Sequence, residues 1–391
     1  MRIAFYAPMK APDDPKPSGD RMMAQLLIKA LEAAGHTVQV ASKFSSRDGA
    51  GDYIRQTRLR DVGVTTATRL IQRTEMLRPE LRPSLWFTYH LYHKAPDWIG
   101  PGYCQAMGIP YVVAEASYAP KQANGAWDMG HNAVAEALGQ AAMVVGLNTA
   151  DTECVMPLLS DPNRMMILRP FLDVTPFAMA RGRGGSARNV LARRFSIDPG
   201  PPWLLAAGMM REGDKLESYR ELAKALQQLD DLDFRLIIAG DGPARPQVLT
   251  AMRPLGTRVV PIGEASADTM VVLHSATDAY VWPAINEAYG MSLLEAQATG
   301  VPVVAGDFGG VTDIVLNNET GLITPPRDTD AFAAAVRELL TNTERRHALG
   351  HAAFQNVQEN HGLNEAADRL DEALHGLTIS GEGPDLGSFG F

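Results

Sequence analysis

Short apolar, β-branched runs alternate with helical patterns along all 391 residues of this chain, the arrangement that builds parallel sheets linked by crossover helices. In the first half, Ile3–Ala7 reads as a strand. A helix follows on which Met22, Met23, Leu26, Leu27, Ala30, Leu31 and Ala34 recur at three- and four-residue spacing and share one face. Gly35 stops that helix, and Thr37–Val40 reads as the second strand. Further strands are expected at Leu85–Thr88, Tyr111–Ala114, Met143–Gly146 and Met165–Leu168. The stretch Ala180-Arg181-Gly182-Arg183-Gly184-Gly185-Ser186 carries no period and reads as a linker or exposed loop. Beyond it the alternation restarts, with strands expected at Trp203–Ala207, Arg235–Ala239, Val259–Ile262, Ala279–Trp282, Val301–Ala305 and Leu322–Thr324. Glu217–Leu229 is helical between two of them, 328–376 read as consecutive helices, and Ser380–Phe391 reads as a frayed tail.

Two such halves predict two Rossmann-like parallel-sheet domains facing a cleft, with ligands at the carboxyl ends of the strands. The predicted limits are 1–172 and 173–360, a C-terminal helix at 361–378 crossing back to the first domain, and a flexible tail at 379–391. No G-x-G-x-x-G follows the first strand of either half, which disfavours a nicotinamide dehydrogenase.

Composition narrows this picture. The hydrophobic fraction is 46% and the charged fraction 21%, as in globular proteins. No apolar run approaches the roughly 20 residues that cross a bilayer. The start, Met1–Tyr6, enters a strand at once and turns at Pro8, which predicts a cytoplasmic protein without a secretory signal. Cys104 and Cys154 lack metal-type spacing, favouring a reducing compartment over a thiolate zinc site. The net charge of −9 is uneven: residues 1–194 hold 23 basic and 17 acidic residues, and 195–391 hold 13 and 28. The acidic half excludes nucleic-acid binding through its general field. The basic half suits weak peripheral contact with an anionic membrane face or a phosphorylated acceptor. Solvated surface charge accounts for the asymmetry equally well.

The chemistry concentrates in the stretch from Trp282 to Val304. It reads as strand, loop, helix, glycine stop, strand. The helix starts near Gly290, where unpaired backbone N–H groups and the positive dipole end suit a diphosphate. Gly290 admits that anion close to the backbone. Glu295 lies just over one turn into the helix, placed to accept from ribose hydroxyls, and Glu287 lies in the loop before it.

Glu287, Gly290, Glu295, Gly300, Pro302 and Val303 together resemble glycosyltransferase family 4, whose retaining members carry Glu-x7-Glu followed by a Gly-x-Pro-Val strand. Ala239-Gly240-Asp241-Gly242-Pro243 is similar to that family's Gly-Asp-Gly-Pro turn. Gly306-Asp307-Phe308-Gly309-Gly310-Val311 is similar to its Gly-Gly loop near the diphosphate, and Gly321-Leu322-Ile323 to its short Gly-Leu strand. The resemblance covers residues 200 to about 345 and implies an α/β fold of the GT-B type. It implies a donor-binding set of Gly19, Gly240, Gly242, Tyr289, Gly290, Met291, Ser292, Leu293 and Glu295, with Glu287, Arg211 and Lys215 in the catalytic group. The family's Arg directly follows the glycine ending its first C-domain strand, whereas Arg211 is displaced by two positions. In the first half, Lys16-Pro17-Ser18-Gly19-Asp20 resembles the family's glycine loop, although Ser18 or Asp20 also reads as a helix cap. The family's His after about its fourth strand is missing, and Glu115 stands in that stretch. His90 and His93 are the alternative sugar or acceptor contacts, each equally readable as a core or helix-start histidine.

The resemblance therefore implies a retaining transferase that moves a sugar from a UDP- or GDP-sugar to a saccharide, glycolipid or small-molecule acceptor. It implies no metal or other cofactor, and a same-face displacement in which the departing phosphate helps deprotonate the acceptor. The alternatives are a nucleotide-sugar epimerase or hydrolase of the same fold, or a catalytically silent binding protein.

Overall fold

Each apolar run becomes a strand, and the central ones are buried on both faces, as a parallel sheet sandwiched between helices requires. Residues 1–16, 18–287 and 290–379 are described by the computed structural model. The strands are β1 (Arg2–Tyr6), β2 (Thr37–Ser42), β3 (Leu85–Leu91), β4 (Tyr111–Ala116), β5 (Met143–Gly146) and β6 (Met165–Ile167), then β7 (Trp203–Ala207), β8 (Arg235–Ala239), β9 (Val259–Gly263), β10 (Ala279–Trp282), β11 (Val303–Gly306) and β12 (Gly321–Thr324). The α-helices between them are α1 (Gly19–Ala33), α2 (Tyr53–Glu75), α3 (Gly100–Met107), α4 (Asp128–Gln140), α5 (Thr149–Val155), α6 (Thr175–Arg181), α7 (Gly184–Phe195), α8 (Asp214–Gln227), α9 (Arg245–Met252), α10 (Ala267–Ala276) and α11 (Met291–Ala298). The chain ends on α12 (Thr329–Thr341), α13 (Thr343–Asn360) and α14 (Leu363–Ile379).

These elements form two six-stranded parallel sheets, ordered β2-β1-β3-β4-β5-β6 and β12-β11-β10-β7-β8-β9. The expected class, α/β of the GT-B type, is the one observed. The first unit comprises Met1–Leu168 together with the segment from Leu363, and the second Arg169–Gly362. In the first unit α14 packs on α1 and buries Ala366, Ala367, Leu370 and Leu374. Each leucine so buried stabilises by about 1.5–3 kcal/mol. The second unit's core is centred on Trp203, Tyr219, Tyr280 and Trp282, all fully buried.

The linker expected at Ala180–Ser186 is corrected. Those residues end α6 and begin α7, inside the second unit. Gly184 is there for packing: a Cβ would lie 2.4 Å from the carbonyl oxygen of Ser275 on α10. The chain passes from the first unit to the second after Leu168 and returns after Gly362. Beside these passages Leu172 N–H donates to His361 O at 3.0 Å, and His361 Nδ1 lies 2.6 Å from Pro170 O.

Candidate functional site

Where strand order reverses in an open parallel sheet, the crossovers on either side diverge and leave room for a ligand at the carboxyl ends. In the second unit that place lies between β7 and β10, and in the first between β1 and β3.

At the β7 end, Gly208-Met209-Met210-Arg211-Glu212-Gly213 leads into α8. Gly213 is its N-cap at φ 83°, with no side-chain cap. The β10 end leads through Pro283–Glu287 to Gly290, the N-cap of α11 at φ 70°. Both helices thus begin with glycine and leave first-turn N–H groups uncapped by side chains. A Cβ on Gly290 would lie 2.6 Å from Leu293 Cδ1. In the intervening loop Ala284 and Asn286 hold positive φ, 57° and 49°. Strained non-glycine backbone of this kind clusters at functional sites.

Lys215, in the first turn of α8, forms an ion pair with Glu287 across this switch point. The two side chains are 18% and 19% exposed, so water reaches the pair without fully screening it. Trp282 Nε1–H also donates to Glu287 Oε2 at 3.3 Å, and the Lys215 ammonium lies 5.4 Å from the Trp282 ring centre. Asn286 Nδ2 donates to Asp214 Oδ1 at 3.0 Å, and Ile285 N–H to Ser218 Oγ at 3.1 Å. The loop carrying Glu287 is therefore tied to α8 at three points. Beneath it the Tyr280 hydroxyl bonds Ser292 Oγ at 2.8 Å and Ala207 O at 3.0 Å, joining β7, β10 and α11. Burial pushes the Tyr280 hydroxyl well above its ordinary pKa. It remains a neutral donor.

The structure separates the remaining sequence candidates. Arg211 is exposed and makes no ion pair among the described residues, while Lys215 holds Glu287. Gly240 and Gly242, expected to bind donor, also lie where two loops approach closely. Their Cβ atoms would lie 2.0 Å from Gly208 O and 2.4 Å from Met210 O. Met210 N–H donates to Asp241 O at 2.9 Å, and Ala244 N–H to Met210 O at 2.8 Å. Met291, Ser292 and Leu293 form the first turn of α11, and Leu293 N–H is taken by Gly290 O at 2.7 Å. Glu295 lies on the same helix, its Oε2 3.4 Å from His274 Nε2. Tyr289 lies outside the described residues.

In the first unit Ser18 caps α1, its Oγ accepting from Arg21 N–H at 3.3 Å, and Gly19 is the first helical residue. Asp20 Oδ1 lies 3.1 Å from His90 Nδ1, and Glu115 Oε1 lies 3.6 Å from the same nitrogen. His90 and Glu115 are the next-to-last residues of β3 and β4, at φ 61° and 58°. Burial raises the Asp20 carboxyl, but the hydrogen bond and charge of His90, with its own backbone and Lys10, outweigh it and hold it below the ordinary value. Glu115 is buried, and its Oε2 has no hydrogen-bond partner. His93 sits apart, its ring 5.8 Å from Trp127. Burial, then the charges of Lys94 and His131, lower its pKa.

Asp20, Trp282, Tyr280, Asp214 and Ser218 escaped the sequence reading as site residues. Single polar residues in a helix, or aromatics in an apolar strand, carry no signature of their own.

Residues 193–356 match the family model described as glycosyl transferases group 1. Over 223 residues the chain is 28% identical to the D-inositol 3-phosphate glycosyltransferase of Pseudarthrobacter chlorophenolicus, covering 55% of this chain and 51% of that protein. The chain thus spans about half the length of that curated relative. A glycosyltransferase structure from Rickettsia africae superposes with a TM-score of 0.75 at 14% identity, covering 97% of this chain and 99% of that one. The Anabaena HepE structure in complex with UDP-glucose superposes with a TM-score of 0.70 at 15% identity, covering 96% and 100%.

Proposed function

We propose that this chain, a GT-B protein whose residues 193–356 match the glycosyl transferases group 1 model, is a retaining glycosyltransferase using a UDP- or GDP-sugar. The observation that carries the reading is the Lys215–Glu287 pair set across the β7/β10 switch point between two glycine-started helices. A diphosphate is drawn to the uncapped N-termini of α8 and α11. There it competes with Glu287 for Lys215, and the released carboxylate is available to sugar hydroxyls. Lys215 and the exposed Arg211 then neutralise charge growing on the leaving diphosphate. Glu295, one turn along α11, accepts from the ribose. Retention follows from a same-face displacement in which the departing phosphate takes the acceptor proton, so the reading needs no protein base and no metal. The donor precedent is the UDP-glucose held by the HepE structure.

The acceptor is a saccharide, glycolipid or small molecule, contacted by Asp20, His90 and Glu115 in the first unit. Residues 1–194 carry the net positive charge, and α2 exposes Arg55, Arg58, Arg69 and Arg73. Weak contact with an anionic membrane face would fall there. Among the described residues no helix is long and apolar enough to cross a membrane.

The test is a panel of UDP-, GDP- and ADP-sugars read by thermal shift and donor consumption, with Glu287→Ala and Glu295→Ala alongside. One donor that stabilises the wild type but not Glu295→Ala, and that is consumed by the wild type but not by Glu287→Ala, supports the reading. Consumption to free sugar at the same rate with and without acceptors points to a hydrolase, and no response to any donor to a silent binding protein.

A further inference from the structure

His274, on the last turn of α10, is fully buried. Neither of its ring nitrogens has a hydrogen-bond partner. A buried imidazole left in that state costs about 1–3 kcal/mol, and a leucine would fill an apolar site without that cost. Its Nε2 lies 3.4 Å from Glu295 Oε2, within reach of that carboxylate but not hydrogen-bonded to it. Its ring packs 5.5 Å from Tyr280, whose hydroxyl bonds Ser292 on the first turn of α11. The same wall thus backs both the helix N-terminus and the carboxylate one turn beyond it.

We propose that His274 is the positioning residue for Glu295, its Nε2–H taking one carboxylate oxygen when the other accepts from the nucleotide ribose. The inference rests on the donor-site reading above. A glutamate has three rotatable bonds, and its carboxylate is 19% exposed on this helix. Without a lateral partner it samples several rotamers, and a ribose diol would have to order it at each binding event. With one oxygen engaged by a rigid, buried donor, the carboxylate plane is set beforehand, and the preference for a ribose bearing its hydroxyls is sharpened.

The readout is the ratio of affinities for UDP and for 2′- and 3′-deoxy-UDP, measured by calorimetry, with GDP and its deoxy forms in parallel. A ratio taken on folded protein is not moved by a change in stability alone. Glu295→Ala first checks the site: it must abolish the wild-type preference for the intact ribose. His274→Leu is then expected to lower that preference about tenfold. The double variant should be no worse than Glu295→Ala. His274→Gln, whose amide nitrogen reaches about where Nε2 lies, should recover most of the preference. A His274→Leu protein with the wild-type ratio overturns the proposal while leaving the donor site standing. A Glu295→Ala protein with the wild-type ratio, or a wild type that binds neither nucleotide, overturns the ribose reading and this inference with it.

Discussion

Lys215 and Glu287 neutralise each other, so removing either leaves a partly buried charge without its partner. The two truncations should differ in what they damage. Lys215→Met takes away the cation offered to the diphosphate, and donor affinity should fall at least about tenfold, together with kcat. Glu287→Gln keeps the shape of the loop, so donor affinity should stay within about threefold of wild type. Its kcat should fall about 10²- to 10³-fold if the carboxylate acts on the sugar in the transition state. Steady-state kinetics with calorimetry separates the two. If Glu287→Gln weakens donor binding and leaves kcat alone, its assigned role is wrong. Trp282→Phe is gentler: it removes only the N–H aimed at Glu287, and kcat should drop about threefold with KM unchanged. The Glu pair was readable because it brackets a strand–loop–helix turn. Its partners were not, since Trp282 reads as core and Asp214 as an ordinary first-turn acid.

The turns at the strand ends explain why some glycines tolerate change and others do not. Gly240 holds φ 151°, and an added Cβ would stand 2.0 Å from a backbone oxygen that cannot swing away. Gly240→Ala should therefore destabilise by about 3 kcal/mol or more, through combined strain and overpacking. Gly213 holds φ 83° but faces open space, so Gly213→Ala should cost only about 1–2 kcal/mol. Urea denaturation of the two variants decides it, and equal losses would refute the close-approach account. Helix α2 shows the opposite limit of legibility. Its buried positions are Gln56, Gly63, Ala67 and Thr74, so no apolar stripe announces its 23 residues. The glycines of the supposed linker misled for a related reason: flexibility and close packing use the same residue.

Over the whole molecule, the buried histidines His361 and His36 should make stability fall in acid. Burial, with Arg169 adding to it, lowers the pKa of His361 despite its bond to Pro170 O and the nearby Asp313. Burial also lowers His36, aided by the N-terminal amine and opposed by Asp371. The unfolded chain binds protons at these sites from about pH 6.5 downward, and the folded chain binds them only at lower pH. Stability is thus full above about 6.5 and declines as pH falls below it. Melting temperature should drop from pH 7 to pH 5.5, and His361→Gln, which keeps a donor for Pro170 O, should flatten the slope. An unchanged slope would assign the acid sensitivity elsewhere. As a further consequence of the metal-free reading, transfer should proceed at an undiminished rate in excess EDTA. Loss of turnover restored by a divalent ion would overturn it.

What the sequence determined alone was class and order. Among the described residues all twelve strands lie within three residues of their expected places, because parallel strands, buried at the centre of each sheet, need continuous β-branched or small apolar runs. The glycine-started helix after β10 and its two glutamates were legible for the same local reason: turn and helix signals act over a few residues. Tertiary structure decided the rest. Strand order made β7 and β10 neighbours and so brought Lys215 to Glu287, 72 positions apart. The same ordering of β1 beside β3 brought Asp20 to His90. In the second unit the fold placed His274 beside Glu295 and brought Gly240 and Gly242 against the backbone of Gly208 and Met210. Such contacts depend on which crossovers lie side by side, and that is a property of the folded sheet rather than of any window along the chain.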